Sequence, residues 1–135
     1  MSRKLFACSI ILGLYALRSF AQEVTSPSGL HAAQLRVINS GNEAIENLTV
    51  FFPGSEVQFG DVPPGSTTAY KEAPRGVYRY GAYRFELRGQ VIVQPVTDWV
   101  GEAPMEGTRF TYRLEFDSNR TRPMLVRLAG VTTDR

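Results

Sequence analysis

The stretch Arg109-Phe110-Thr111-Tyr112-Arg113-Leu114-Glu115-Phe116 decides the fold, because polar and apolar side chains alternate along its whole length. Successive side chains of a β-strand point to opposite faces of the sheet, so this period of two predicts a strand with one buried and one solvated face. The segment 83–88, Tyr-Arg-Phe-Glu-Leu-Arg, repeats the pattern. Both segments therefore predict amphipathic strands that share one hydrophobic core.

Short apolar runs continue on either side of these segments, separated by clusters of Gly, Pro, Asn and Ser that are typical of turns. No segment after residue 21 keeps a helical period of apolar residues. The pattern predicts an all-β fold, a single antiparallel β-sandwich of about seven or eight strands. Besides the two segments above, the predicted strands are 33–39, 45–52, 56–59, 66–70, 91–94 and 124–128.

The N-terminus has the composition of a secretory signal peptide. A basic start at 1–4 precedes an apolar run at 5–17, and small residues follow at Ser19 and Ala21. This arrangement predicts a signal helix that is cleaved after Ala21 and a protein exported to the periplasm or the cell exterior. A membrane-spanning helix needs roughly 20 apolar residues, and Arg18 interrupts this shorter run, so we expect no transmembrane anchor in the mature chain.

Removal of this leader changes the charge of the protein. Three of the 15 basic residues, but none of the 13 acidic ones, lie in it, so the mature chain is expected to be slightly acidic. The sequence therefore offers no basic surface of the kind that nucleic-acid binding requires. Cys8, the single cysteine, also lies in the leader, so the mature protein is expected to contain no disulfide and no thiol nucleophile.

The mature chain has the size of one domain. We assign residues 1–21 to the signal peptide and residues 22–31, which are polar and rich in turn formers, to a flexible lead-in. The β-sandwich domain is predicted to span 32–130, and residues 131–135 are predicted to form a polar tail.

Five segments resemble an uncharacterised family of exported bacterial domains with an immunoglobulin-like or transthyretin-like β-sandwich. They are 33–39 (Ala-Gln-Leu-Arg-Val-Ile-Asn), 57–62 (Val-Gln-Phe-Gly-Asp-Val), 66–70 (Ser-Thr-Thr-Ala-Tyr), 76–78 (Gly-Val-Tyr) and 107–112 (Gly-Thr-Arg-Phe-Thr-Tyr). The early part is also similar to immunoglobulin-like domains of bacterial adhesion proteins. The resemblance implies the fold and the export, and it carries over no catalytic or ligand-binding residue.

One connection carries unusual side chains, since Asp98 and Glu102 flank the single tryptophan, Trp99. Paired carboxylates act as acid and base in glycosidases, and an adjacent tryptophan can stack on a sugar ring. The simpler interpretation is structural: Asp98 hydrogen-bonds backbone N–H groups of its own turn, and Trp99 covers one end of the core. The sequence favours the structural interpretation, with ligand or partner binding next and catalysis last.

Four arginines form a second candidate site. Arg84 and Arg88 on one predicted strand, and Arg109 and Arg113 on another, all point away from the core if the alternation holds. On neighbouring strands they would form a basic patch that attracts an acidic glycan, a lipid headgroup or an acidic protein surface. The alternative is a solvated face on which interleaved glutamates pair with the arginines at little gain in stability.

A tyrosine-rich run contains Tyr70, Tyr78, Tyr80 and Tyr83. Exposed together, these rings would form a contact platform, because tyrosine is favoured at interface centres. We expect them instead to be partly buried, with their hydroxyls bonded to the backbone.

Other chemistry is poorly supported by the sequence. His31 is the single histidine, which argues against a zinc site or a catalytic triad. No phosphate-binding glycine loop or EF-hand pattern occurs, so we predict no cofactor and no metal; calcium binding near Asp98 or Asp117 has no supporting ligand spacing.

These observations predict an exported, non-enzymatic β-sandwich protein with a binding or structural role in the bacterial cell envelope. Its expected partner is an envelope protein or a glycan. Two alternatives stay open: an inhibitor or accessory subunit of an envelope enzyme, and a glycan-acting hydrolase that uses Asp98 and Glu102.

Overall fold

A computed structural model describes residues 32–96, 99–121 and 124–135. The predicted signal peptide and lead-in, and with them His31, lie outside the described residues, as does Asp98.

Eight strands and no helix make up the described part of the chain, which confirms the all-β prediction. No helix there is long and apolar enough to cross a membrane. The strands form two four-stranded sheets: the first has the order β4-β1-β7-β8 and the second β3-β2-β5-β6. The strands are β1 (Ala33–Asn39), β2 (Ile45–Phe52), β3 (Ser55–Val62), β4 (Lys71–Ala73), β5 (Ala82–Leu87), β6 (Gln90–Gln94), β7 (Arg109–Phe116) and β8 (Val126–Asp134).

The two sheets share one hydrophobic core, in a β-sandwich-like arrangement. Aromatic contacts join the sheets: the ring centroids of Phe52 and Tyr112 lie 6.0 Å apart, and those of Phe85 and Phe116 lie 5.4 Å apart. Each of these residues belongs to the buried half of an alternating strand, so the period of two that predicts the strands also selects the core.

The burial expected of the tyrosine-rich run is confirmed for Tyr78 and Tyr83, but the Tyr83 hydroxyl has no hydrogen-bond partner among the described residues, so the expected backbone bond is not confirmed there. Tyr78 and Tyr83 lie in the core, and the Tyr78 carbonyl accepts a hydrogen bond from the hydroxyl of Tyr112. Burial raises the pKa of both Tyr83 and Tyr112 far above the ordinary value for tyrosine. Tyr70 is the exception, because its hydroxyl lies instead on the outer side of the first sheet.

The prediction of a purely antiparallel sandwich was wrong for one pair, since β1 and β7 are parallel. Their register runs from Gln34 opposite Arg109 to Asn39 opposite Leu114. Parallel neighbours need a long crossover, and here the intervening chain supplies it by building the second sheet and β4 before it returns. Alternation within a strand carries no information on the direction of its neighbour.

The predicted strand at 66–70 is absent as a regular strand, and β3 instead continues to Val62. Thr67 forms one isolated bridge with Ile38, and the backbone N–H of Thr68 donates to the Val37 carbonyl at 2.9 Å. The Val37 N–H donates to the hydroxyl oxygen of Thr68 at 3.0 Å instead of to a main-chain carbonyl. A side-chain acceptor of this kind interrupts the ladder, so the regular pairing restarts only at β4.

The C-terminal strand differs at both ends from the predicted 124–128. It begins at Val126 and continues to Asp134, so 131–134 of the predicted polar tail are part of β8. The pairing of Asp134 with Arg109 holds this end in the ladder with β7. The polar composition of 131–135 indicated a tail, but an edge strand with one solvated face can have the same composition.

Candidate functional site

The outer face of the first sheet carries a set of linked polar side chains. We use this name for the side chains that point away from the core on β1, β7 and β8, together with Tyr70. They form three cross-strand rows: Gln34–Arg109–Asp134, Arg36–Thr111–Thr132 and Ile38–Arg113–Gly130. Three arginines therefore lie within three rows of one sheet face.

Asp134, the last residue of the edge strand β8, is the acceptor that several side chains of this face share. Its Oδ2 accepts hydrogen bonds from the hydroxyl of Tyr70 at 2.8 Å and from the hydroxyl of Thr111 at 2.5 Å. Nε of Arg36 lies 3.8 Å from the same oxygen and donates to Thr111 Oγ1 at 2.9 Å. One carboxylate thereby links β8 to β7, to β1 and to the segment that precedes β4.

These contacts favour the ionised form of Asp134. Partial desolvation alone raises its pKa, but the hydrogen bonds from Thr111 and Tyr70 and the charge of Arg36 outweigh it, so the pKa lies below its ordinary value. The same bond to Asp134 is the main cause that raises the pKa of Tyr70, because the carboxylate holds the phenolic proton.

Tyr70 also orders the arginines around it. The guanidinium carbon of Arg36 lies 4.8 Å from the centroid of the Tyr70 ring, and that of Arg109 lies 5.3 Å from it. Nε of Arg109 donates to Oε1 of Gln34 at 3.2 Å. Cation–π contacts and charge-assisted hydrogen bonds restrict two long side chains that are normally mobile at a protein surface.

A depression of about 280 Å³ opens on the outer face beside this network. It lies where Gly130 of β8 stands opposite Arg113 of β7, because glycine has no side chain to fill the row. Its lining comprises Arg36, Ile38, Thr111, Arg113, Gly130, Val131 and Thr132.

The single basic patch envisaged for the four predicted arginines does not form. Arg109 and Arg113 lie on β7 of the first sheet, whereas Arg84 lies on β5 of the second sheet and Arg88 directly follows that strand. The two sheets share a core, so their outward-pointing side chains face opposite directions. Outward alternation was predicted correctly for each strand, but the assumption that the strands are neighbours was wrong.

On the second sheet, Arg84 is engaged locally. Its guanidinium lies 5.2 Å from the centroid of the Phe51 ring, and its Nη2 is 3.5 Å from the hydroxyl of Thr49. Arg88 is exposed in the turn between β5 and β6, with a positive φ of 52°. These two arginines therefore form no site with those of β7.

The loop around Trp99 is anchored through the tryptophan itself. The half-buried indole Nε1 donates to the carbonyl of Tyr80 at 3.4 Å, and the N–H of Glu102 donates to the Trp99 carbonyl at 3.0 Å. Gly101 has a φ of 78°, which fits the third position of a type II turn. This turn presents Val100 with 92% of its surface exposed.

The structure places one member of the predicted carboxylate pair, Glu102. Its side chain is exposed and lines a wide depression of about 640 Å³ together with Arg79, Met105 and Glu106. Asp98 lies outside the described residues, so the pair stays a prediction. An open surface of this shape leaves Glu102 in contact with water.

A third depression, of about 440 Å³, lies at one end of the molecule and is polar. Glu43 bridges to the neighbouring loop there, because its carboxylate accepts from the backbone N–H and the hydroxyl of Ser118, both at 2.9 Å. Arg120 lies between Glu115 and Asp117, at 3.6 and 3.7 Å. Within the described ranges, no group of three or more His, Cys, Asp or Glu side chains is placed to hold a metal ion.

Sequence reasoning missed Arg36, Thr111 and Asp134 as members of the candidate site. Alternation alone places Arg36 and Thr111 outward, but their contact depends on the parallel register of β1 and β7. Asp134 fell in the predicted tail. The alternation at 126–128 stops at Ala129 and Gly130, so no signal in the sequence extends the strand to Asp134.

No family model matches this chain, and neither a curated protein nor a solved structure matches it.

Proposed function

We propose that the chain is an exported, non-enzymatic β-sandwich domain of the bacterial cell envelope that binds a partner through the outer face of its first sheet. Export is supported by the composition of residues 1–21. An immunoglobulin-like or transthyretin-like class is supported by the five resembling segments and by two four-stranded sheets that share one core.

The observation that carries the proposal is the ordered network of Arg36, Tyr70, Thr111 and Asp134 on an exposed sheet face. Arginine and tyrosine are among the residues enriched at the centres of interfaces. Side chains that are already fixed by neighbours lose less conformational entropy when a partner binds. This arrangement supports recognition of a ligand surface.

The same network supports binding over catalysis. Oδ2 of Asp134 is occupied by two hydroxyl donors, and its lowered pKa makes it a weak proton acceptor. The arginines carry a permanent charge and do not exchange protons at ordinary pH. These groups are suited to holding an acidic partner in place.

The division of the arginines between two sheets allows a matched test. A double variant, Arg109→Glu with Arg113→Glu, reverses charge on the first sheet, and Arg84→Glu with Arg88→Glu makes the same change on the second. Purified proteins are incubated with solubilised cell envelope, and the retained material is quantified. We expect the first variant to lose at least about 90% of specific retention, since each desolvated charge contact contributes about 1.4 kcal/mol or more, and the second to retain it.

Equal losses in both double variants, or no specific retention by the wild-type protein, would contradict the proposed surface. Circular dichroism of each variant establishes that it is folded. Fractionation of cells that express the full chain tests export separately: the proposal expects the protein outside the cytoplasm, shortened by the leader.

A second candidate, an inhibitor or accessory subunit of an envelope enzyme, is favoured by the exposed Val100. The turn beneath it is fixed by Trp99 and Gly101, so an apolar side chain is held at the tip of an anchored loop. A protruding apolar tip fits insertion into a partner's pocket. In the retention assay, Val100→Asp would then abolish binding and the arginine variants would not.

A further inference from the structure

We infer that the depression between Arg36 and Arg113 is a binding site for an oxyanion: a carboxylate, phosphate or sulfate group. This inference rests on the proposed function, since it names the chemical group that the outer face of the first sheet would recognise. The site combines two guanidinium groups with a gap at Gly130.

The gap has a specific structural origin. The register between β7 and β8 shifts after Arg113, so that Arg113 pairs with Gly130 whereas Leu114 pairs with Leu128. This irregularity, a β-bulge, lies directly beside the depression, and bulges are common where a strand borders a site. A Cβ placed on Gly130 would meet no atom within 4 Å, and its backbone φ is not positive. Neither a backbone requirement nor a close contact therefore explains glycine at this position.

The two arginines differ in how they are held. Arg36 is half-buried, and its Nε is fixed by Thr111 and lies near Asp134. Within the described residues no hydrogen bond engages its Nη groups, so they are available as donors at the depression that the side chain lines. Arg36 therefore supplies a positioned donor at one side of the site.

Arg113 supplies the second donor. It is exposed and lies diagonally from Arg36 across the β1–β7 pair. In the part of the chain that the structure describes, no carboxylate or other acceptor pairs with its guanidinium, whereas Arg127 farther along the same sheet is paired with Glu115 at 2.5 Å. A positive charge on this face thus has no counter-ion among the residues that the structure describes.

Charge and size together select the ligand. The planar guanidinium fork matches two oxygens of a carboxylate, phosphate or sulfate, and the donors come from the arginines, because the hydroxyls of Thr111 and Thr132 already donate to Asp134. Asp134 offsets part of the charge of Arg36, but Arg113 and Arg109 leave the face positive. A volume of about 280 Å³ lies below the range usual for drug-sized ligands, so the site fits one charged group and its immediate attachment.

The test is a nuclear magnetic resonance titration of the mature protein with sodium phosphate, sodium sulfate and sodium acetate at constant ionic strength. We expect saturable shifts of the Gly130 and Arg113 amides and of the Arg113 side-chain Nε–H. Comparison of the three salts identifies the preferred oxyanion. Binding should be saturable at millimolar concentrations because the site is open to water.

Three variants distinguish binding at this depression from nonspecific attraction of anions to surface arginines. Arg113→Gln removes one donor and should weaken binding about tenfold. Gly130→Val retains every charge but fills the gap, and should weaken binding to a similar extent. Arg88→Gln removes an exposed arginine of the second sheet and should leave the affinity unchanged. Amide spectra show whether each variant keeps the wild-type fold.

The inference would be overturned if the chemical shifts of all arginines changed linearly with salt concentration. It would also be overturned if both Arg113→Gln and Gly130→Val bound the oxyanion with unchanged affinity. Its failure is distinguishable from failure of the proposed function. If envelope retention still depends on the β7 arginines while no oxyanion binds, the face recognises its partner without this site. If oxyanions bind and retention is indifferent to the β7 arginines, the inferred site stands and the proposed contact surface is wrong.

Discussion

At the scale of single residues, Asn39 shows how a polar side chain is accommodated in the core. Asn39 is fully buried, and its amide donates to the carbonyls of Glu43 at 2.8 Å and Val62 at 3.0 Å. Its Oδ1 accepts from the N–H of Gly41 at 3.0 Å. Such an amide holds the end of β1 to the next turn and to β3, because it satisfies carbonyls that burial would otherwise leave unpaired.

Asp134 provides a residue-scale prediction about acid stability. A carboxylate whose pKa is lowered in the folded state stabilises the fold above its unfolded pKa, near 4, and loses this contribution as the pH falls through the lowered value. We predict that Asp134→Asn loses about 1 kcal/mol of unfolding free energy at pH 7. Its stability should then fall less steeply than that of the wild type between about pH 5 and pH 2.

Urea unfolding at a series of pH values measures both quantities. The profile of the variant should be shallower but not flat, because Glu115 also has a lowered pKa, chiefly through its hydrogen bond with Arg127. Glu72→Gln, which removes an exposed carboxylate of β4, is the control for loss of negative charge. Parallel profiles for the wild type and Asp134→Asn would show that the network does not hold Asp134 ionised.

At the scale of elements, the strands were largely predictable, but their neighbours were not. The bounds of β1 and β7 follow from alternation, because one buried face imposes a period of two on the sequence. The parallel pairing of β1 with β7 joins residues about 75 positions apart and leaves no local trace. The candidate site depends on that pairing, so its individual residues could be placed outward while their grouping could not.

One cross-sheet contact at an edge gives an element-scale prediction. Gln94 at the end of β6 donates to the Val126 carbonyl at 2.6 Å and accepts from the Val126 N–H at 3.0 Å. This amide thereby joins β6 of the second sheet to the start of β8 in the first. Gln94→Leu leaves both backbone groups of a buried residue unpaired, which should cost about 1–2 kcal/mol.

Hydrogen exchange and urea unfolding check this expectation. The Val126 amide should exchange faster in Gln94→Leu than in the wild type. In the control variant Gln90→Leu, at the exposed start of the same strand, the Val126 amide should exchange at the wild-type rate. Unchanged protection of Val126 would mean that the side chain contributes nothing to docking of the β8 edge.

At the scale of the whole molecule, the packing of two sheets separates two surfaces that the sequence could not distinguish. Outward arginines occur on both, but Arg36 of β1 and Arg109 of β7 contact the ring of Tyr70, whose hydroxyl donates to Asp134. On the second sheet, Arg84 contacts Phe51 and Thr49. The difference between the two surfaces is the physical basis for assigning binding to the first sheet.

Photo-crosslinking in intact cells tests this assignment most directly. A photoreactive residue is placed at Thr132, which is exposed on the outer face of the first sheet, and in a separate protein at Gln58, which is exposed on the second. After irradiation, covalent adducts are quantified in the envelope fraction. The account predicts discrete adducts from position 132 and background levels from position 58; adducts confined to position 58, or equal yields from both, would contradict it.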